Sequence, residues 1–107
     1  MKRGPMRIAT DIEIADSELF AICRKYGVKE LAVFGSAARG EMGPESDVDL
    51  LGEFREEARP GLIGLSALGR EFSRVLGRRV DVAVKAALKP LVRNEILSEA
   101  HVIYAEG

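Results

Sequence analysis

The alternation of apolar and polar residues along the chain predicts a mixture of helices and short strands. Apolar residues recur every three or four positions in three stretches, which is the spacing of one buried helical face. Shorter runs that are continuously apolar or alternate with polar residues lie between them and are typical of strands. The predicted order is a helix over 16–26, a strand over 30–34, a helical turn and loop over 36–46, a strand over 47–54, a helix over 62–76, a strand over 79–84, a helix over 91–100 and an edge strand over 101–104. Short strands flanked by helices indicate an α/β or α+β fold.

Local signals mark where some of these elements begin and end. Asp16 and Ser17 are predicted to cap the first helix, and Gly27 is predicted to stop it. Residues 1–15 show only a weak alternation of charged and apolar positions. We therefore expect an extended N-terminal arm over 1–15, followed by one domain over 16–107.

The composition narrows the class of protein. The 107 residues are 47% hydrophobic and 31% charged, a mixture that can bury one modest core. The 16 Lys and Arg residues against 17 Asp and Glu residues give a net charge of -1, so no direct binding to nucleic acid is expected. There is no apolar run of about 20 residues, and no apolar stretch follows the basic start. We therefore expect neither a membrane contact nor a signal peptide, but a soluble cytoplasmic protein.

Cysteine and histidine are too few for several kinds of site. A single Cys excludes a disulfide within the chain, and a single His leaves no Cys/His cluster for zinc. The lone His101, close to the end of the sequence, also argues against a Ser-His-Asp triad.

Two aspartates begin the second predicted strand, and a third lies in the next strand. Asp47 and Asp49 are two residues apart, so their side chains point to the same face, about 6–7 Å apart. Like charges this close repel unless a cation lies between them, and Mg²⁺ takes one or two carboxylates together with water and phosphate oxygens. Asp81 alternates with valines. If the two strands are neighbours, three carboxylates meet on one face, as in a two-metal phosphoryl-transfer site. The alternative is that these aspartates are simply solvated.

A glycine and a serine follow the first predicted strand. Gly35 would let a ligand approach the backbone closely, and Ser36 is placed as the N-cap of a short helical turn. Free amides at that turn, with Arg39 beside them, would suit an anionic group such as a phosphate. The alternative is an ordinary turn between a strand and a helix.

The combination of these motifs resembles a known family. The order Gly35-Ser36, ten further residues, then Asp47-x-Asp49 is similar to that of the minimal nucleotidyltransferases, in the polymerase-beta-like nucleotidyltransferase superfamily. The resemblance extends from about residue 16 to residue 104 and rests on four segments, 34–40, 46–51, 77–82 and 93–100. It implies a nucleotidyltransferase fold with a small mixed sheet flanked by helices, Mg²⁺ as the cofactor and ATP as the nucleotide donor. It also implies a cognate HEPN-domain toxin as the partner. This chain would act as the antitoxin by transferring AMP from ATP to a tyrosine hydroxyl of that toxin.

The resemblance implies a role for each candidate residue. The catalytic and metal-binding residues would be Asp47, Asp49 and Asp81, of which Asp81 also orients the attacking hydroxyl. The residues that bind the nucleotide phosphates would be Gly35, Ser36 and Arg39.

Two positions depart from the family pattern, and other functions stay open. Ala37 stands where many members have Arg, and Lys85-Ala86 stand where many have Thr-Pro. The alternatives are an antitoxin that neutralises its partner by binding alone, a nucleotidyltransferase acting on a small molecule or an RNA end, and a metal-dependent phosphohydrolase. The three aspartates favour an enzyme, because a module that only binds has no need of them.

Overall fold

The computed structural model describes residues 5–106, which contain six strands and four α-helices. The strands are β1 (Met6–Ala9), β2 (Ile12–Ile14), β3 (Val28–Phe34), β4 (Val48–Phe54), β5 (Val80–Val84) and β6 (His101–Ala105). The helices are α1 (Asp16–Tyr26), α2 (Gly35–Arg39), α3 (Leu62–Leu76) and α4 (Pro90–Glu99), and a 3₁₀ turn over Lys85–Ala87 follows β5. Every predicted helix and strand is present. No helix in this part of the chain is long and apolar enough to cross a lipid bilayer.

Four strands form one mixed sheet in the order β5-β4-β3-β6. Strand β4 runs parallel to β5 and antiparallel to β3, and β3 runs antiparallel to β6. In this register Phe34 lies opposite Asp49, and Asp49 lies opposite Asp81. The end of β3 and two of the three aspartates therefore form one row across the sheet, and the expected mixed sheet flanked by helices is confirmed.

The core lies on the face of the sheet that the strand aspartates do not use. Val48 and Leu50, which alternate with Asp47 and Asp49, are fully buried there. Helices α1 and α3 cover this face through Leu19, Ile22, Cys23, Leu68 and Phe72. Burial of each large apolar side chain stabilises the fold by about 1.5–3 kcal/mol, so this packing holds the polar face in place.

The expectation of an extended N-terminal arm is corrected by the structure. Strands β1 and β2 pair antiparallel as a hairpin. Ile8, Ile12 and Ile14, which carry the weak alternation, are buried in the same core as α1 and α3. An arm would have left these three apolar side chains in water, whereas pairing satisfies the backbone and lets them pack. Residues 1–4 of the expected arm lie outside the described residues, and the domain boundary at residue 16 stays a prediction.

Two predicted helix caps are wrong, whereas a predicted stop is confirmed. Ala15 is the N-cap of α1 and Phe34 is the N-cap of α2, because the backbone of Asp16 and of Ser36 is already helical. The side chain of Asp16 still lies in the first turn of α1, where a negative charge favours the helix dipole. Helix α1 ends as predicted at Gly27, whose φ of 68° is the left-handed conformation that glycine adopts without strain.

Candidate active site

The sheet brings two of the predicted aspartates side by side. Asp49 and Asp81 are register partners on parallel neighbours, so their backbones are about 4.8 Å apart. Asp47 lies immediately before β4, and Arg79 immediately before β5 reaches it, with its Nε 3.1 Å from Asp47 Oδ1. The condition under which the three carboxylates share one face, that the two strands are neighbours, is therefore met.

The three aspartates repel one another, and this repulsion disfavours the ionised form of Asp49. Burial raises the pKa of the Asp49 carboxyl above its usual value, and the charges of Asp81 and Asp47 raise it further. Arg39 opposes these effects and lowers the pKa. A cation beside the aspartates would relieve the repulsion that these neighbours exert on each other.

One aspartate oxygen has no hydrogen-bond donor. Asp47 Oδ1 is buried, and its contact with Arg79 does not have the geometry of a hydrogen bond. The charge of Arg79, whose Nε lies 3.1 Å away, compensates this oxygen only in part, because the pair lacks a hydrogen bond. The position of this oxygen next to other carboxylates is one that a metal ligand would occupy.

The carboxylates fit Mg²⁺ better than they fit a metal held by protein atoms alone. Within residues 5–106, no three Asp, Glu, His or Cys side chains are grouped so as to hold a metal ion. Mg²⁺ does not require such a cage, because it is usually bound by one or two carboxylates and completed by water and substrate phosphates. The unsatisfied oxygen of Asp47 and the crowded carboxylate of Asp49 are ligands of this type.

Gly35 is packed directly against this carboxylate. Its φ is 71°, and a Cβ atom built on it would lie 2.4 Å from Asp49 Oδ2. Only glycine combines the left-handed conformation with this lack of side-chain volume. The group that approaches Gly35 closely is the side chain of Asp49, and the approach of a ligand to this backbone stays a prediction.

The donors near Gly35 are already engaged by other carboxylates. The Gly35 amide donates to Glu99 Oε1 at 3.0 Å, and Arg39 Nη1 donates to both Glu99 oxygens, at 2.9 and 3.1 Å. Arg39 Nε also donates to Glu41 Oε1 at 2.8 Å. Ser36 lies in the first turn of α2 and is half-buried.

Glu99 is a residue of the candidate site that no sequence motif identifies. It is the last residue of α4, 64 residues from Gly35, and no local pattern connects two positions so far apart. The available signal was its place in segment 93–100, one of the segments that resemble the family.

A cavity of about 490 Å³ opens beside the aspartates, between α3 and β5. Asp47 and Asp81 line one side of it, and Arg70 and Arg79 bring positive charge. The rest of its lining is formed by Leu62, Leu65, Ser66, Gly69, Ser73, Val80 and Val82. A cavity of this size can hold a nucleotide fragment or a large side chain.

The two positions that depart from the family pattern have structural roles here. Ala37 is buried in the main core. Lys85 Nζ lies 3.5 Å from a carboxylate oxygen of Glu30 and 3.6 Å from one of Glu53, so it links the 3₁₀ turn after β5 to β3 and β4.

Comparison with protein families and sequences gives a consistent result. The family model described as nucleotidyltransferase domain matches residues 18–103. A Methanocaldococcus jannaschii protein named as a candidate protein adenylyltransferase is 41% identical over 83 residues, which are 78% of this chain and 87% of that protein. Protein adenylyltransferase MntA of Thermococcus cleftensis is 40% identical over 75 residues, 70% of this chain and 74% of the relative.

Solved structures with the same fold include a candidate minimal nucleotidyltransferase, at 35% identity and a TM-score of 0.67 over 79% of this chain and 85% of that one. A toxin–antitoxin structure with AMP-PNP has a TM-score of 0.71 at 14% identity, over 84% of this chain and 73% of that one. A complex of a tri-AMPylated Shewanella oneidensis HEPN toxin with its MNT antitoxin has a TM-score of 0.63 at 12% identity, over 84% and 69%. The last two likenesses show the fold alone. From the family model and the relatives above 30% identity, the chain belongs to the nucleotidyltransferase-domain enzymes and, among them, to the minimal nucleotidyltransferases.

Proposed function

We propose that this protein is a Mg²⁺-dependent adenylyltransferase that transfers AMP from ATP to a tyrosine hydroxyl of a cognate HEPN toxin, and thereby acts as its antitoxin. The names of the relatives support adenylyl transfer to a protein. The toxin–antitoxin structures of the same fold, one with AMP-PNP and one with an AMPylated toxin, support the donor and the partner.

The observation that carries the proposal is the contact of Gly35 with Asp49, together with the pairing of Asp49 with Asp81 across the sheet. A glycine whose missing side chain makes room for a carboxylate, with a second carboxylate directly opposite, supports a site in which phosphate donors and metal ligands lie together. Asp47 adds a buried oxygen that lacks a donor. A module that only binds another protein gains nothing from this arrangement.

The residues of the chain would divide the work between them. Asp47, Asp49 and Asp81 would supply the carboxylates for Mg²⁺, one or two to each ion, and the ion would neutralise phosphate charge and acidify the attacking hydroxyl. The amides of Gly35 and Ser36 would hold the β- and γ-phosphates, together with Arg39. These contacts fix the α-phosphorus relative to the acceptor, and positioning is the main contribution that a protein makes to phosphoryl transfer.

The transfer itself is an in-line displacement. The acceptor oxygen forms a bond to the α-phosphorus, the bond from that phosphorus to the bridging oxygen breaks, and pyrophosphate leaves with the electron pair. The hydroxyl proton moves to the carboxylate of Asp81. This residue lies opposite Asp49, on β5 at the edge of the sheet. The products are an AMP–tyrosine ester and pyrophosphate.

Apolar surface beside the site favours a protein acceptor. Leu62 and Ile63, at the start of α3, are 82% and 85% exposed, and Leu62 lines the same cavity as Asp81. Exposed large apolar side chains next to a polar site are typical of protein-binding surfaces. A polar small molecule or an RNA end would not bury these apolar side chains.

The experiment is incubation of the protein with the cognate toxin, ATP and Mg²⁺, followed by intact-mass spectrometry of the toxin. We expect the toxin to gain the mass of one or more AMP groups, located on tyrosine by peptide mapping. Asp81→Asn should abolish this gain, whereas Asp11→Asn, the same change at an exposed turn of the hairpin, should not.

The alternative of neutralisation by binding alone predicts a different result. In that case the toxin is silenced without any gain in mass, and equally well by the wild-type protein and by Asp81→Asn. That result would overturn the proposed adenylyl transfer.

A further inference from the structure

The carboxylate of Glu99 occupies the donors to which the proposed function assigns the triphosphate. It accepts from the Gly35 amide at 3.0 Å, and each of its oxygens accepts from Arg39 Nη1. Both oxygens are thus engaged, one of them twice. The carboxylate is an anion in a site for anions, and it belongs to the chain itself.

We propose that Glu99 competes with the nucleotide from within the chain. Glu99 must release Gly35 and Arg39 before the phosphates can bind these two residues. This inference rests on the proposed function, because it concerns control of the same phosphate site. Glu99 thereby sets the affinity for nucleotide without contacting the acceptor.

The competition follows from the number of donors. One amide N–H can be directed at one acceptor, and Arg39 already divides its guanidinium between Glu99 and Glu41. A phosphate that took the same donors would place its negative charge against the carboxylate of Glu99. Both cannot be accommodated at hydrogen-bond distance, because like charges that close repel strongly.

The helix that carries Glu99 is lightly held, so that release is feasible. None of the residues of α4 is buried, and Leu91 is 96% exposed. A contact near the start of the helix, from Arg93 Nη1 to the Lys85 carbonyl at 2.9 Å, does not involve Glu99. Segments with few buried apolar contacts open at low free-energy cost. His101 pairs with β3 in the sheet, so release requires that the Glu99 side chain turns away and the last turn of α4 loosens, not that the end of the helix leaves the sheet.

The test compares two variants that remove one negative charge each from the surroundings of Arg39. Glu99→Gln weakens the contact with both Gly35 and Arg39, whereas Glu41→Gln weakens a contact with Arg39 alone. The affinity for AMP-PNP in the presence of Mg²⁺ is measured by isothermal titration calorimetry. We expect Glu99→Gln to bind about three- to tenfold more tightly than the wild type, and Glu41→Gln to bind within about twofold of it.

A second measurement follows the helix itself. Hydrogen exchange at the amides of 96–100 should become faster when the wild-type protein binds AMP-PNP, because the tether to Gly35 is lost. The same amides in Glu99→Gln should exchange fast before the nucleotide is added. Thermal melts of both variants show whether each one is folded, and Glu99→Ala replaces Glu99→Gln if the latter is not.

The outcomes separate this inference from the proposed function. If Glu99→Gln binds AMP-PNP no more tightly than the wild type, or more weakly, Glu99 supports the loop and the competition is refuted, although the protein still binds nucleotide. If Glu99→Gln and Glu41→Gln tighten binding equally, the effect is one of net charge and the inference fails as well. If the wild type and all variants fail to bind AMP-PNP, the proposed function fails together with this inference.

Discussion

Gly35 and Asp49 lie so close together that a Cβ atom on residue 35 would fall 2.4 Å from Asp49 Oδ2. The strand end that would hold phosphate and the carboxylate that would hold metal therefore form one packed unit. Gly35→Ala should displace the Asp49 side chain and reduce AMP transfer by roughly tenfold or more, since small misplacements of reacting groups are costly. Transfer of labelled AMP to the toxin measures this effect.

The control for this prediction is Gly40→Ala. Gly40 has the same positive φ of 71°, but a Cβ atom on it would meet nothing within 4 Å. Both variants should lose about 1–2 kcal/mol in the free energy of unfolding from strain in the left-handed region, and Gly35→Ala should lose more because its Cβ also displaces Asp49. An equal loss of transfer in both would mean that backbone strain, and not contact with Asp49, explains the effect of Gly35→Ala.

Much of the fold could be predicted because its signals are local. One apolar face predicts helix α3 over its full length, and short apolar runs that alternate with charge predict β4 and β5. The hairpin of β1 and β2 could not be predicted in the same way. Its strands have four and three residues, too few for a clear periodicity, and their burial depends on helices that come later in the chain.

The candidate site also has features that local sequence signals predict and features that depend on the fold. Asp47 and Asp49 share a face because of their spacing, and this could be predicted from strand geometry. The pairing of Asp49 with Asp81 required the strand order, for which the sequence offered only a condition. The contact between Gly35 and Glu99 joins the first and last parts of the site, and only the folded chain brings them together.

Asp49→Asn should abolish transfer without lowering stability. The carboxyl of Asp49 has a raised pKa because of burial and of Asp81 and Asp47, so its ionised form is disfavoured in the folded protein. The variant should unfold at an equal or higher urea concentration than the wild type near pH 7, while transfer falls by roughly 100-fold or more.

The pH dependence of this difference has a definite sign. A carboxyl whose pKa is higher in the folded state destabilises the fold above that pKa, and the effect disappears below the unfolded value of about 3.9. The gain of Asp49→Asn over the wild type should therefore shrink as the pH falls through the acid range. A gain that stays constant or grows at low pH would refute the assignment of repulsion to Asp49.

Glu71→Gln should weaken the contact between α1 and α3. Glu71 accepts from Lys25 Nζ at 2.8 Å and from the Tyr26 hydroxyl, and these two hydrogen bonds lower the pKa of its carboxyl. Because the group is partly exposed, the loss in the free energy of unfolding near pH 7 should be only about 0.5–1 kcal/mol. Urea unfolding followed by circular dichroism measures it.

The sign of the pH effect at Glu71 is opposite to that at Asp49. Because the pKa of Glu71 is lower in the folded state, its stabilising effect is fully present above the pKa of the unfolded state. The effect is lost as the pH falls through the pKa of the folded state. The wild type and Glu71→Gln should therefore converge in acid. Glu56→Gln is the control, since the Glu56 side chain is 89% exposed, and it should match the wild type at every pH.

Mg²⁺ and AMP-PNP together should raise the melting temperature by more than the sum of their separate effects. An ion held by one or two carboxylates needs phosphate oxygens to complete its coordination, so each ligand strengthens the binding of the other. Scanning calorimetry of the wild type with Mg²⁺, with AMP-PNP and with both tests this expectation. The excess should vanish in Asp49→Asn, which lacks the charge beside Gly35, and persist in Asp11→Asn. An excess that survives in Asp49→Asn would place the shared site away from Asp49, and strictly additive effects in the wild type would mean that the ion and the nucleotide do not meet at all.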